Sequence, residues 1–257
     1  MQLDPIAAAA GFRVFAHDIL GSTNSEALAQ SRQGDKGPLW VVAREQNAGC
    51  GRRGREWVSA PGNLYATLLL ADPAPAEAAP QLAFVTGLGV HDAIVACADE
   101  LAQGLTLKWP NDVLYVNKKL AGILIESEMS AGKLAVAVGI GINCLHHPAQ
   151  TSYPATNLAE AGKDVSPESL LYALSRTMMR RLAQWDRGAG FAAIRADWLI
   201  SATGLGREIT VRLPGHELNG YFESLDESGQ LLLRHADGKL QTITAGDIFP
   251  LAETAAP

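Results

Sequence analysis

Two apolar runs, residues 39–43 and 64–70, bracket a polar stretch that interrupts any regular element. It contains Arg44-Glu45-Gln46-Asn47-Ala48-Gly49-Cys50-Gly51-Arg52-Arg53-Gly54-Arg55-Glu56-Trp57, with three glycines and three arginines in the seven positions from Gly49 to Arg55. The pattern reads as strand, glycine-rich loop, strand. Glycines let the backbone adopt positive φ and turn N–H groups toward a ligand. The interleaved guanidiniums supply planar forks suited to phosphate and carboxylate oxygens. A bare arginine cluster is more commonly a solvated loop or a nucleic-acid patch. Here the glycine spacing, the flanking Gln46 and Trp57 and a chain net charge of −6 favour a loop for a small anionic ligand.

The 257 residues suit one large domain, or one medium and one small. An isoelectric point near 5.5 argues against general nucleic-acid binding. The N-terminus carries Asp4 and Pro5 and no basic segment, so no signal peptide is expected. The apolar run 134–142 is far shorter than the ~20 residues that span a bilayer, so no membrane association is expected. Cys50, Cys97 and Cys144 form no Cys-x-x-Cys pair and read as free thiols in a reducing cytoplasm.

Residues 12–20 read as a strand and turn. Ser22-Thr23-Asn24 then precedes a helix over 25–33. The triplet serves equally as an N-cap or as polar groups facing a pocket. A helix is expected over 81–101, with Leu82, Val85, Leu88, Ile94, Ala98 and Leu101 on its apolar face. Lys108-Trp109-Pro110-Asn111-Asp112 implies an edge strand or a bulge, or else an ordinary turn with Asn-Asp polar capping. A β-rich run follows over 118–126, in which Gly122 signals close approach of another group. Residues 134–143 read as a buried strand ending in Gly139-Ile140-Gly141-Ile142-Asn143. Cys144 stands where a dinucleotide fingerprint needs its third glycine, which excludes that reading. His146-His147 lacks further ligands at useful spacing, so no protein metal site is expected. Helices are expected over 167–185, capped by Ser166, and over 191–200. Short strands at 207–213, 218–225, 230–234, 240–244 and 248–251, separated by Gly- and Asp-rich turns, indicate a small antiparallel barrel.

The loop motif, Trp57 and Gly62-Asn63-Leu64-Tyr65 resemble the ligand loop of biotin protein ligases. Ser22-Thr23-Asn24, Lys-Trp-Pro-Asn-Asp, Lys119-Leu120-Ala121-Gly122 with Leu124, the Gly139–Asn143 segment and the β-rich tail follow in the order of that family. The resemblance implies an α+β fold: a catalytic domain of mixed sheet and helices over 1–204, then an SH3-like domain over 205–257. Cys50 departs from the family's usual arginine and Asn47 from its usual threonine. No winged-helix segment precedes Ser22, so DNA binding is not expected.

The resemblance further implies that biotin and Mg2+-bound ATP form biotinyl-AMP. The biotinyl group then passes to a lysine of a biotin carboxyl carrier protein. Lys119 would act at the carboxylate–phosphate junction. Arg52, with Arg53 or Arg55, would hold phosphates and order the loop. Ser22, Thr23, Asn24 and Gln46 would meet the ureido ring, and Trp57 would pack near the ligand. Gly49, Cys50, Gly51, Gly122, Leu124, Gly139 and Gly141 would shape the site, and Asn143 would lie near adenine. A homodimer is compatible with the sequence. The rival readings are a lipoate or octanoate ligase or transferase, for which Cys50 is the candidate nucleophile, and a non-catalytic ligand sensor.

Overall fold

In the computed structural model, which describes residues 1–130, 132–149, 151 and 153–250, the chain opens with helix α1 (Pro5–Ala9). The sequence reading missed this helix. Asp4 caps it, its side chain accepting from Ile6 N at 2.8 Å, with Pro5 in the first turn. Next come β1 (Arg13–Leu20), α2 (Thr23–Arg32), β2 (Leu39–Gln46) and β3 (Leu64–Ala71). Helix α3 (Leu82–Cys97) leads to β4 (Leu105–Lys108), β5 (Asp112–Tyr115), β6 (Lys118–Ser130) and β7 (Lys133–Ile142). The last helices are α4 (Pro167–Trp185) and α5 (Phe191–Ile200). Ser166 caps α4 as expected, its side chain accepting from Ser169 N.

The seven strands form one mixed sheet in the order β1-β2-β3-β7-β6-β5-β4. Only β1 and β2 run parallel, because α2 crosses between them; every other pair is antiparallel. The edge strand β4 is covered by the segment after α5: Leu107 N donates to Ser201 O and Thr203 N donates to Leu107 O.

Helix α3 departs from expectation in two ways. It stops at Cys97, because Ala98 turns to an extended conformation (φ −155°, ψ 79°) and a 3-10 turn, Asp99–Gly104, carries the chain on. That turn returns Leu101 to the core, where it is 2 % exposed. The helix is also buried on several sides rather than along one stripe, since it packs against the sheet as well as α4 and α5. Thr177 donates to Gly89 O at 2.8 Å, and a Cβ on Gly89 would strike Met178. A glycine costs a helix interior about 1 kcal/mol, and the close approach of α3 and α4 offsets that. Residues Ala76–Cys97 are long and apolar enough, by length and composition, to cross a bilayer. Here Leu82, Val85, Val90, Ala93 and Ile94 are each 0 % exposed within the core.

A second, five-stranded antiparallel sheet follows: β8 (Glu208–Leu213), β9 (His216–Leu225), β10 (Leu231–Arg234), β11 (Leu240–Ile243) and β12 (Asp247–Pro250). Its order is β11-β10-β9-β8-β12. Residue 251 of the expected last strand lies outside the described residues. Ile209, Val211, Phe222 and Leu231 join the same buried cluster as the larger sheet. The Trp109 indole N–H also donates to Gly229 O at 3.1 Å. These contacts bring β12 against the face of the large sheet that carries the site.

Candidate active site

The glycines of β6 and β7 make the floor of a cavity of about 330 Å³. Gly122 pairs with Gly141 and Leu124 with Gly139, so alternation puts all four on one face. A Cβ on Gly141 would stand 2.5–2.7 Å from three atoms of the Trp57 indole, and one on Gly122 would stand 2.9 Å from it. Gly139 gives its space to the Asn24 side-chain amide. These are positions of close approach, where only hydrogen fits. The indole nitrogen of Trp57 is buried without a hydrogen-bond partner.

The glycine–arginine loop is an irregular hairpin. Cys50 bridges Glu56, Gly51 N donates to Arg55 O at 2.7 Å and Trp57 N donates to Gly49 O at 2.9 Å. This fold-back lays Trp57 onto the glycine floor. Of the three glycines only Gly54 takes positive φ (70°), beside Arg53 (58°). Gly49 is needed for space instead: a Cβ there would meet Ser59 Oγ and Trp57 O at 2.6 Å.

One end of the cavity is polar and largely neutral. Gln46 Oε1 accepts from Thr23 N at 2.8 Å and from Thr23 Oγ1 at 3.0 Å, while Gln46 Nε2 donates to Ser59 Oγ. Thr67 Oγ1 donates to Asn24 Oδ1 at 2.6 Å, and Asn24 Nδ2 donates to Glu126 Oε2 at 2.7 Å. Ser22 holds the N-cap position of α2 but makes no capping bond, and it lines the cavity. The choice between cap and pocket thus falls to the pocket.

The other end is cationic. Asp112 lies between two lysines: Lys119 Nζ is 2.6 Å from Oδ1 and Lys108 Nζ is 3.5 Å from Oδ2. Burial works to raise the Asp112 pKa, but the fields of Lys119 and Lys108 and their hydrogen bonds prevail, so it falls below the usual carboxylate range. Burial lowers the Lys108 pKa, against the pull of Asp112. Lys119 Nζ also sits 5.2 Å from the centre of the Trp57 ring, between the neutral and cationic ends. Arg52 donates to Asn111 Oδ1 at 3.0 Å, to Gly246 O at 3.2 Å and to Asp247 Oδ1 at 3.2 Å; Arg55 pairs with Asp247 Oδ2 at 3.3 Å. Burial lowers the Arg52 pKa, opposed by Asp247 and Asp112, and an arginine stays charged throughout.

Most of the expected residues meet here: Ser22, Thr23, Asn24, Gln46, Cys50, Gly51, Arg52, Arg55, Trp57, Lys119, Gly122, Leu124, Gly139, Gly141 and Asn143 line the cavity. Two expectations change, those for Arg53 and Gly49, and the Asn143 side chain has a structural bond as well. Arg53 is exposed and outside the lining, because its left-handed backbone turns it away. Gly49 supports the loop from behind. The Asn143 amide donates to Thr156 O at 3.0 Å and Lys119 O at 3.5 Å, so it braces the wall that carries Lys119. The sequence reading assigned no role to Lys108, Asn111, Asp112, Thr67, Tyr153, Asp247 or Phe249. The Lys-Trp-Pro-Asn-Asp motif could have flagged the first three; nothing local marked the rest.

Cys50 is exposed, and its thiol donates to Ala48 O at 3.4 Å. No histidine lines the cavity among the described residues to activate it. Cys144 is buried, which pushes its thiol up to about 12.

The profile of the Biotin/lipoate A/B protein ligase family matches residues 19–143, and that of the Biotin protein ligase C terminal domain matches residues 204–249. A biotin–[acetyl-CoA-carboxylase] ligase of Paracoccus denitrificans is 45% identical over 89% of this chain and 96% of its own. The chain belongs to the biotin protein ligase family. Its fold is similar to that of the biotin protein ligase of Aquifex aeolicus in complex with biotin and ATP. The TM-score is 0.76 and the identity 29%, over 92% of this chain and 97% of that one. It is also similar to the Leishmania major enzyme in complex with biotinyl-5-AMP, with a TM-score of 0.64 and 27% identity over 91% and 99% of the two chains. The C-terminal family match spans the small second sheet, from β8 to β12.

Proposed function

We propose that the cavity holds biotin and the nucleotide end to end, with Lys119 at their junction. The enzyme is a biotin protein ligase. The biotin carboxylate attacks the α-phosphorus of ATP, giving biotinyl-AMP and pyrophosphate. A lysine amine of a carrier protein then attacks the mixed anhydride, giving an amide, AMP and a proton. The observation that carries the residue assignment is the position of Lys119, between the Trp57 ring and Asp112, where the two ends of the cavity meet.

Neither step needs a protein nucleophile. Both build negative charge on phosphate or carbonyl oxygens, which fixed cations stabilise, and holding the reactants together removes an entropic part of the barrier. Ser22, Thr23, Asn24 and Gln46 offer donors and acceptors to the ureido ring. Arg52 and Arg55 offer forks to phosphate. No group of three or more His, Cys, Asp or Glu that could hold a metal lies among the described residues, and Asp112 and Asp247 are already paired with cations. Mg2+ would enter with ATP as part of the substrate, where it would neutralise phosphate charge alongside Arg52, Arg55 and Lys119. The carrier is a biotin carboxyl carrier protein.

Pyrophosphate release with ATP should depend on biotin. Equal release with lipoate or octanoate in its place would replace this reading with the rival ligase. A Gly141→Val variant is expected to lose biotin affinity by about 5- to 150-fold, since overpacking costs about 1–3 kcal/mol and displaces Trp57 from its floor. Isothermal titration measures this, and unchanged affinity would place biotin elsewhere. Amides of residues 50–55 should exchange with solvent more slowly once biotin and ATP are bound, as an anion draws the arginines together. Unchanged exchange would mean that the loop contacts no ligand.

A further inference from the structure

Lys108 is 4 % exposed, yet it serves nothing in the reaction as described so far. Among the described residues its only hydrogen-bond acceptor is Asp112 Oδ2, at 3.5 Å. An ammonium carries three donors, and burying such a group with its donors unmet is costly. The rest of its surroundings are aromatic faces. Its Nζ lies 4.4 Å from the Tyr153 ring centre and 5.4 Å from that of Phe249, which β12 brings to the cavity. Lys108, Tyr153 and Phe249 all line the cavity. Asp112 shares one oxygen with each lysine, so Lys108 stands across the carboxylate from Lys119, away from Trp57.

We infer that Lys108 is a second phosphate-contacting ammonium, which presents its unused N–H donors to the polyphosphate oxygens beyond the α-phosphorus and to the pyrophosphate as it leaves. This rests on the proposed ligase reading and extends its site by one residue. As the O–P bond to pyrophosphate breaks, the departing group takes the electron pair, and a fixed cation beside it lowers that barrier. The second half-reaction releases AMP and involves no pyrophosphate, so Lys108 has no part in it. That asymmetry separates the role from simple support of Asp112, which would affect both steps.

The test uses the intact enzyme and its Lys108→Gln and Lys108→Arg variants, each assayed well below its own unfolding midpoint. Biotin-dependent exchange of pyrophosphate into ATP reports the first step. Transfer from supplied biotinyl-AMP to a carrier domain reports the second. Lys108→Gln is expected to cut exchange by about 100-fold and raise the KM for pyrophosphate, with transfer within about two-fold of wild type. Lys108→Arg, which keeps the charge, should restore part of the exchange. Exchange near the wild-type rate in Lys108→Gln, or an equal fall in both steps, would overturn the assignment, as would a glutamine variant that recovers fully when Asp112 is also neutralised. A wild-type enzyme without biotin-dependent exchange would instead overturn the ligase reading itself, and this assignment with it.

Discussion

Lys119→Ala is expected to fold and to form biotinyl-AMP about 100- to 1,000-fold more slowly, the range seen when a single stabilising donor is removed. A unit charge about 4 Å from another is worth about 4 kcal/mol at an effective dielectric near 20, which corresponds to the upper part of that range. The fold should persist because the Lys119 side chain is 26 % exposed and Asp112 keeps Lys108 beside it. Single-turnover measurement of the adenylate, with circular dichroism as the control, decides the matter. Adenylate formed near the wild-type rate would remove Lys119 from the junction. Cys50→Ser should retain most of the turnover, since among the described residues no cavity-lining histidine stands ready to activate the thiol. Loss of transfer in that variant, with an acyl adduct on Cys50 in the wild type, would favour the acyltransferase reading.

Asp112→Ala should destabilise the enzyme by about 3–5 kcal/mol, as removal of one partner from a buried ion pair does. The Asp112 side chain is 12 % exposed, and its loss leaves the 5 % exposed Lys108 side chain without its carboxylate. Urea unfolding measures the loss, and the Asp112→Ala/Lys108→Met double variant should lose less than the two single changes added together. Additive losses would mean that the two groups do not interact. The pH dependence follows from the direction of the shift. The folded Asp112 carboxyl is held below its ordinary value by the lysines. It therefore contributes stability that is present above the ordinary carboxylate range and lost as pH falls through the folded value. The acid limb of the stability profile should be shallower in Asp112→Ala.

Local sequence determined most elements and the reaction class. Apolar runs bounded by turn residues placed β1, β2, β3, β6, β7 and the strands of the small sheet, and near-3.6 spacing placed the helices Pro167–Trp185 and Phe191–Ile200, whereas β4 and β5 were read only as an edge strand, bulge or turn around Lys108–Asp112. The ordered motifs pointed to the family, and alternation along the Gly139–Asn143 strand made a one-faced glycine floor readable in principle. Local sequence failed where contacts overrode periodicity. Helix α3 ends early because Ala98 must turn Leu101 inward, and α1 is too short for any period to reveal. Tertiary structure alone decided how the site residues are held. Arg52 is held by Asp247, 195 positions later, and Arg53 next to it is turned out to solvent. Asp112 becomes a shared anion only when β4, β5 and β6 set Lys108 and Lys119 on either side of it. Such pairings depend on which strands lie side by side and on how much water is excluded between them, and neither is written in the spacing of residues along the chain.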